Sequence, residues 1–157
     1  AVDALYRYEG PLGRLLSRAK NPLEPALYDW LLEAPSQAPQ HAHFVPVPTP
    51  WRRRFKRRGC HTTYLAQQLA KKHQGQVVHA LRRRHHGTPQ ANLSAAQRRL
   101  LADDTFQGTK RALGAHVVLV DDVLTTGATL RTAMSVLKPL CDAHESTLSA
   151  FVVARVL

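Results

Sequence analysis

Apolar residues recur along the chain with two periods, and each period predicts an element. "GPLGRLLSRAK" (10–20) sets Leu12, Leu15, Leu16 and Ala19 at helical spacing with cations on the other face. After "NP" a second helix is predicted from about Leu23 to Glu33, with Leu27, Trp30 and Leu31 in its apolar set. Prolines break 34–42 into a loop. "HFVPVP" (43–48) reads as a short buried strand whose prolines, lacking an N–H, end its pairing. "CHTTYLAQQLAKKH" (60–73) is a helix with Tyr64, Leu65, Ala66 and Leu69 inside, and "QVVHAL" (76–81) a strand. Residues 82–94 form a loop, and Ser94 caps a helix across "AAQRRLLA". "HVVLVDD" (116–122) has the uninterrupted β-branched run of a strand buried on both faces. A helix from about Gly127 to Leu137 stops before Pro139, and "STLSAFVVARV" (146–156) closes the chain as a strand. Strands alternating with helices predict an α/β fold with a mainly parallel, twisted sheet flanked by helices.

The chain's 157 residues suffice for one domain with its own core, and 44% hydrophobic against 21% charged residues is a globular balance. No apolar run approaches the roughly 18 residues of a membrane span, and no secretory signal opens the sequence. Cys60 and Cys141 are far apart and outside any CxxC pair, which excludes a disulfide framework or zinc site and predicts ordinary thiols in a reducing cytoplasm. Charge changes the picture more. The net +11 is concentrated between Trp51 and Arg111, where fifteen basic residues face two acids. Such a face attracts nucleic acid or concentrates a phosphate-rich small molecule.

The candidate chemistry sits in "VVLVDDVLTTGATL" (117–130). In a parallel sheet, ligands bind where strands end and loops lead into helices. There a helix start offers unpaired N–H groups to a phosphate. Gly127 allows close approach, and Thr125, Thr126 and Thr129 add hydroxyls around Ala128. Asp121 and Asp122 would repel that phosphate, so they suit either a ribose diol or a divalent cation.

This segment resembles the phosphoribosyl-pyrophosphate (PRPP) signature of type I phosphoribosyltransferases. The resemblance implies that Thr125, Thr126, Gly127, Ala128 and Thr129 cradle the 5′-phosphate. It also implies that Asp121 and Asp122 meet the ribose hydroxyls and that Mg²⁺ bridges the pyrophosphate. Thr125 stands where 6-oxopurine enzymes usually carry an acid, and a neutral hydroxyl is a poor general base.

A second resemblance runs along nearly the whole chain, to the ComF/GntX family linked to bacterial DNA uptake. "YEGPLGRLLSRAK", "FVPVPTPWRRRFKRRG", "RRRHHGTPQANLSAAQRR", "LADDTFQG" and the PRPP segment occur in the family's order. It implies one phosphoribosyltransferase-like domain over 1–157, with N-terminal helices at about 10–34 and a PRPP-motif core at about 43–157. Two departures stand out. Cys60, His61 and Thr62 replace the family's Phe-Asn-Gln after "RG", and Arg98-Arg99-Leu100-Leu101 lacks its asparagine. The family's cysteine-rich N-terminal zinc module has no counterpart here.

"WRRRFKRRG" (51–59) places six cations in nine residues, Arg54, Lys56, Arg57 and Arg58 among them. Arg82, Arg83 and Arg84 open a second cationic segment. Both suit pyrophosphate, single-stranded DNA, or both. The leading expectation is a ComF-like protein that binds a phosphoribosyl ligand with Mg²⁺ and single-stranded DNA, and works with competence-machinery proteins in natural transformation. The alternatives are an active phosphoribosyltransferase with an unidentified nitrogen nucleophile and a PRPP-sensing regulator; the sequence assigns no catalytic residue to either.

Overall fold

A computed structural model describes residues 1–19, 26–49, 60–84 and 105–156. These form a five-stranded, wholly parallel sheet with helices on both faces, plus a two-stranded antiparallel ladder. The elements are β1 (Val2–Arg7), α1 (Pro11–Ala19), α2 (Ala26–Leu31), β2 (His43–Pro46), α3 (His61–Lys72), β3 (Gln76–Val77), β4 (Leu81–Arg83), β5 (Phe106–Gly108), β6 (His116–Leu124), α4 (Ala128–Ala143) and β7 (Thr147–Arg155). Residues 51–59, the loop beyond Arg84 with Ser94 and its expected helix, and the expected start of the second helix at Leu23 lie outside the described residues.

The sheet order β1-β7-β6-β2-β3 contains a reversal. From β2 the chain passes through α3 to β3 on one side; from β6 it passes through α4 to β7 on the other. The two crossovers therefore lie on opposite faces, and a crevice opens between the C-terminal ends of β2 and β6. Side-chain alternation along β6 fits this arrangement. Val118 and Val120 pack on the α3 face with Leu65, Leu69, Leu16, Tyr28 and Phe151, whereas Val117 and Leu119 pack on the α4 face with Leu130, Ala133 and Leu137. All four valine and leucine residues are essentially sealed from water, which is why the strand reads as a continuous apolar run.

Prolines sit in β2 without breaking it. The Val47 N–H donates to the Val120 carbonyl at 2.9 Å, so β6 faces the odd-numbered residues of β2. The nitrogen of Pro46 then points toward β3, whose pairing has already ended at Phe44 with Val77. Pro46 loses no ladder bond, and pairing to β6 runs past it, against the expectation that the prolines end it.

Five further differences from the sequence reading have physical reasons. β1 pairs in parallel with β7 as an edge strand, half-buried from Asp3 to Tyr6 with no alternation of burial that would announce it. The expected 76–81 strand splits: Gln76 and Val77 join the main sheet, while Leu81 pairs with Gly108 in the separate β4–β5 ladder, which also takes Arg82 and Arg83 out of the loop. In α2, Tyr28 is the buried anchor and Trp30 is 55% exposed. β6 keeps its pairing with β7 through Asp121 and as far as Leu124, so the acids lie within the strand. α4 runs through Pro139 to Ala143, because Leu137 and Cys141, one turn apart around the proline, are both buried on the same core.

Candidate functional site

The crevice is walled by residues from three elements. The first wall is the 125–129 turn between β6 and α4. Gly127 occupies the N-cap of α4 with φ 74° and ψ 2°, a left-handed conformation that favours glycine, and no side chain caps the helix. The first intrahelical bond is from the Arg131 N–H to the Gly127 carbonyl at 2.8 Å, so the N–H groups of Ala128, Thr129 and Leu130 lack helical acceptors. Only a long 3.4 Å contact links the Ala128 N–H to Thr126 Oγ1. Thr125, Thr126 and Thr129 are exposed. The Arg131 guanidinium lies over the turn, its Nη1 2.9 Å from where a Cβ on Gly127 would stand. Arg131 was not singled out from the sequence; its place one helical turn after the loop glycine is the signal.

The second wall is the end of β6. Asp121 lines one small cleft together with the 125–129 turn. Asp122 follows on the opposite face and is 7% exposed. Where β2 ceases to pair, the Asp122 N–H finds Asp121 Oδ1 at 2.9 Å; Asp122 Oδ1 in turn accepts the Val123 N–H at 2.8 Å. Both carboxylates are thereby leaned forward along the strand toward its C-terminal end. Burial, and then the neighbouring Asp122 charge, push the Asp121 carboxyl well above the ordinary carboxylate range.

The third wall is the first turn of α3, which sequence reasoning noted only as a departure. His61 Nε2 stands 3.2 Å from Asp122 Oδ2, a close contact without the alignment of a formed hydrogen bond. His61 Nδ1 is buried and has no hydrogen-bond partner among the described residues. Thr62 donates to the Val47 carbonyl at 2.7 Å and fixes the helix start to the end of β2. Cys60, at the N-cap position, lies 3.2 Å from Thr49 Oγ1 and 3.0 Å from Thr62 Oγ1.

The structure thus brings Asp121, Asp122, Thr125, Thr126, Gly127, Ala128 and Thr129 to one end of the sheet, with the two acids on its two faces. Arg54, Lys56, Arg57 and Arg58 lie outside the described residues. Arg82, Arg83 and Arg84 stand on or just after β4, on the α4 flank. Arg82 donates twice to Gln107 Oε1, at 3.0 and 2.7 Å. Arg83 stacks 5.3 Å from the Phe106 ring centroid and reaches the Pro48 carbonyl at 3.5 Å, at the crevice end of β2. Among the described residues no cluster of three or more His, Cys, Asp and Glu is placed to hold a metal, and no helix is long and apolar enough to cross a membrane.

A family model of the phosphoribosyl transferase domain matches residues 62–141, which span α3 from its second residue, the acid pair, the 125–129 turn and most of α4. The chain belongs to the phosphoribosyl transferase domain family, and its parallel sheet flanked by helices is a type I phosphoribosyltransferase-like fold. No curated protein matches the chain.

Proposed function

We propose that this chain binds PRPP in the crevice between β2 and β6 and is of the ComF type, acting in natural transformation in a reducing cytoplasm. The observation that carries the reading is the uncapped start of α4. Three backbone donors, a left-handed glycine and three hydroxyls there converge on a cleft whose other wall is Asp121. A 5′-phosphate satisfies those donors, and the positive end of the helix dipole favours its charge. The acids then face the sugar. Their donor set also fits Mg²⁺: oxygen ligands crowded enough to raise the Asp121 carboxyl are relieved by a hard cation. Two carboxylates are also enough for an ion that keeps waters and substrate phosphates as its other ligands. Mg²⁺ would neutralise the pyrophosphate charge, and Asp121 and Asp122 would hold it. Single-stranded DNA would follow the cationic β4–β5 side, where Arg82, Arg84, Lys110 and Arg111 are exposed.

The test is calorimetric titration of PRPP with Mg²⁺ into the wild type and into an Asp121→Asn/Asp122→Asn variant. The expected outcome is binding by the wild type that weakens at least about tenfold in the variant, a loss of about 1.4 kcal/mol. A wild type that takes up no PRPP would leave the crevice without this role.

A further inference from the structure

Successive residues of a strand point to opposite faces of a sheet, so an acid pair on β6 cannot by itself present two carboxylates to one sugar. Asp121 belongs to the face of α4 and its turn; Asp122 belongs to the face of α3. The structure recovers a common direction in two steps. Each carboxylate accepts the N–H of the residue after it, at 2.9 Å for Asp121 and 2.8 Å for Asp122, which tips both toward the end of the strand. Asp122 then needs a second hold, because it rises beyond the point where β2 stops pairing with β6. That hold is His61, whose Nε2 stands 3.2 Å from Asp122 Oδ2, with the two side chains only 13% and 10% exposed.

We propose that His61 is a positioning residue for ribose recognition. From the first turn of α3 it fixes the Asp122 carboxylate over the crevice, so that the site prefers a ribose phosphate to its 2-deoxy counterpart. The inference rests on the reading that the crevice takes a phosphoribosyl ligand. His61 itself is anchored, since Thr62 beside it is tied to the Val47 carbonyl and the helix starts against the end of β2. An imidazole held on a fixed helix end defines where Oδ2 stands, and a contact of this kind tightens as a ligand closes the site. A hydroxyl paired with a fixed buried carboxylate is missed when absent, because that carboxylate then loses a partner it cannot replace with water.

The experiment compares the full chain with His61→Gln, His61→Leu, Asp122→Asn and the His61→Leu/Asp122→Asn double variant. Calorimetric titrations use inorganic phosphate, ribose 5-phosphate, 2-deoxyribose 5-phosphate and PRPP with Mg²⁺, and thermal unfolding of each variant is recorded alongside. Inorganic phosphate reports the 125–129 turn alone. The wild type is expected to favour ribose 5-phosphate over the deoxy sugar by about tenfold. His61→Leu, which fills the space but has no donor, should abolish that preference and leave phosphate affinity unchanged. His61→Gln, whose amide can still reach Oδ2, should keep the preference within about threefold. The double variant should be no worse than Asp122→Asn alone, because His61 acts only through that carboxylate.

A preference that survives in His61→Leu, or an equal fall for every ligand including phosphate, would overturn the positioning role. Should His61→Leu fail to fold, loss of the preference in His61→Gln overturns it instead. If the wild type binds none of the four ligands, the phosphoribosyl reading itself fails. That outcome is distinct from a wild type that binds them all without regard to His61.

Discussion

Cys60 shows how far a single residue's chemistry departs from what its letter suggests. Both cysteines are free, as the sequence implied, yet their environments differ. Burial raises the Cys141 thiol, aided by Asp142. Burial also acts to raise Cys60, but the hydroxyls of Thr49, Thr62 and Thr63 and the Thr63 backbone N–H outweigh it and bring the thiol down to about 6. One of those partners has less to give. Thr62 has a single proton, and the Val47 carbonyl at 2.7 Å takes it, so Thr49, Thr63 and the helix start must support the thiolate. Iodoacetamide labelling followed by mass spectrometry should therefore give Cys60 a pH midpoint well below the ordinary value of about 8.5, with Cys141 slow throughout. Thr49→Val should move that midpoint upward. A midpoint of 8.5 in both proteins would contradict the account. Sequence could not show this, because Thr49 and Cys60 are eleven residues apart and meet only when α3 docks on β2. The same holds for His61 and Asp122. By contrast the meeting of Asp121 with the 125–129 turn was legible, since those residues are close neighbours in the sequence.

Elements were legible where burial follows one period over many residues. β6, β7, α1 and α3 all appear near their expected bounds. The failures cluster where tertiary packing decides. β1 became a strand only because β7 offered an edge, and β3 shortened because Leu81 had a partner in Gly108. α4 is the clearest case, since local rules end it before Pro139 and the core carries it on to Ala143. That continuation has a measurable cost. Pro139 is exposed and has no N–H to offer the Ser135 carbonyl one turn earlier. Alanine there should recover most of the roughly 3 kcal/mol separating the two residues in a helix interior, less up to about 1 kcal/mol for the looser unfolded chain. Pro139→Ala is thus expected to stabilise the protein by about 2 kcal/mol and to raise Tm by about 5 °C. An unchanged or lower Tm, read by calorimetry, would mean that the helix is already relaxed around the proline. Phosphate affinity should not change, because the substitution lies three turns from the loop.

For the whole molecule the decisive property is where the charge sits. The positive charge is concentrated in the middle of the chain, and the described cations of that segment fall in two places. Lys71 and Lys72 end α3, and Lys72 is occupied in bonding the Leu32 and Ala34 carbonyls at 2.6 and 2.8 Å. Arg82, Arg84, Lys110 and Arg111 instead flank the β4–β5 ladder on the α4 side and are exposed. A cationic surface beside the crevice serves a polyanion better than a small ligand, because a small ligand needs only the cations that reach it. Binding of a short single-stranded oligonucleotide should therefore fall steeply with salt. If four to six phosphates are neutralised, log K should drop with log salt at a slope of about −3 to −4. Substituting both Arg82 and Arg84 with Gln should make that slope shallower by about 1.4, because each lost phosphate contact removes about 0.7. PRPP affinity at the α4 turn should stay within about twofold in the same variant, since Arg82 and Arg84 stand on the β4–β5 flank of the sheet. Fluorescence anisotropy across a salt series, with and without saturating PRPP, reads both slopes, and calorimetric titration of PRPP reads its affinity. A slope near zero would remove DNA from the account and leave the cations to pyrophosphate. A steep slope that PRPP abolishes would place both anions on one surface, and the β4–β5 ladder would then be a wall of the crevice instead of a separate track.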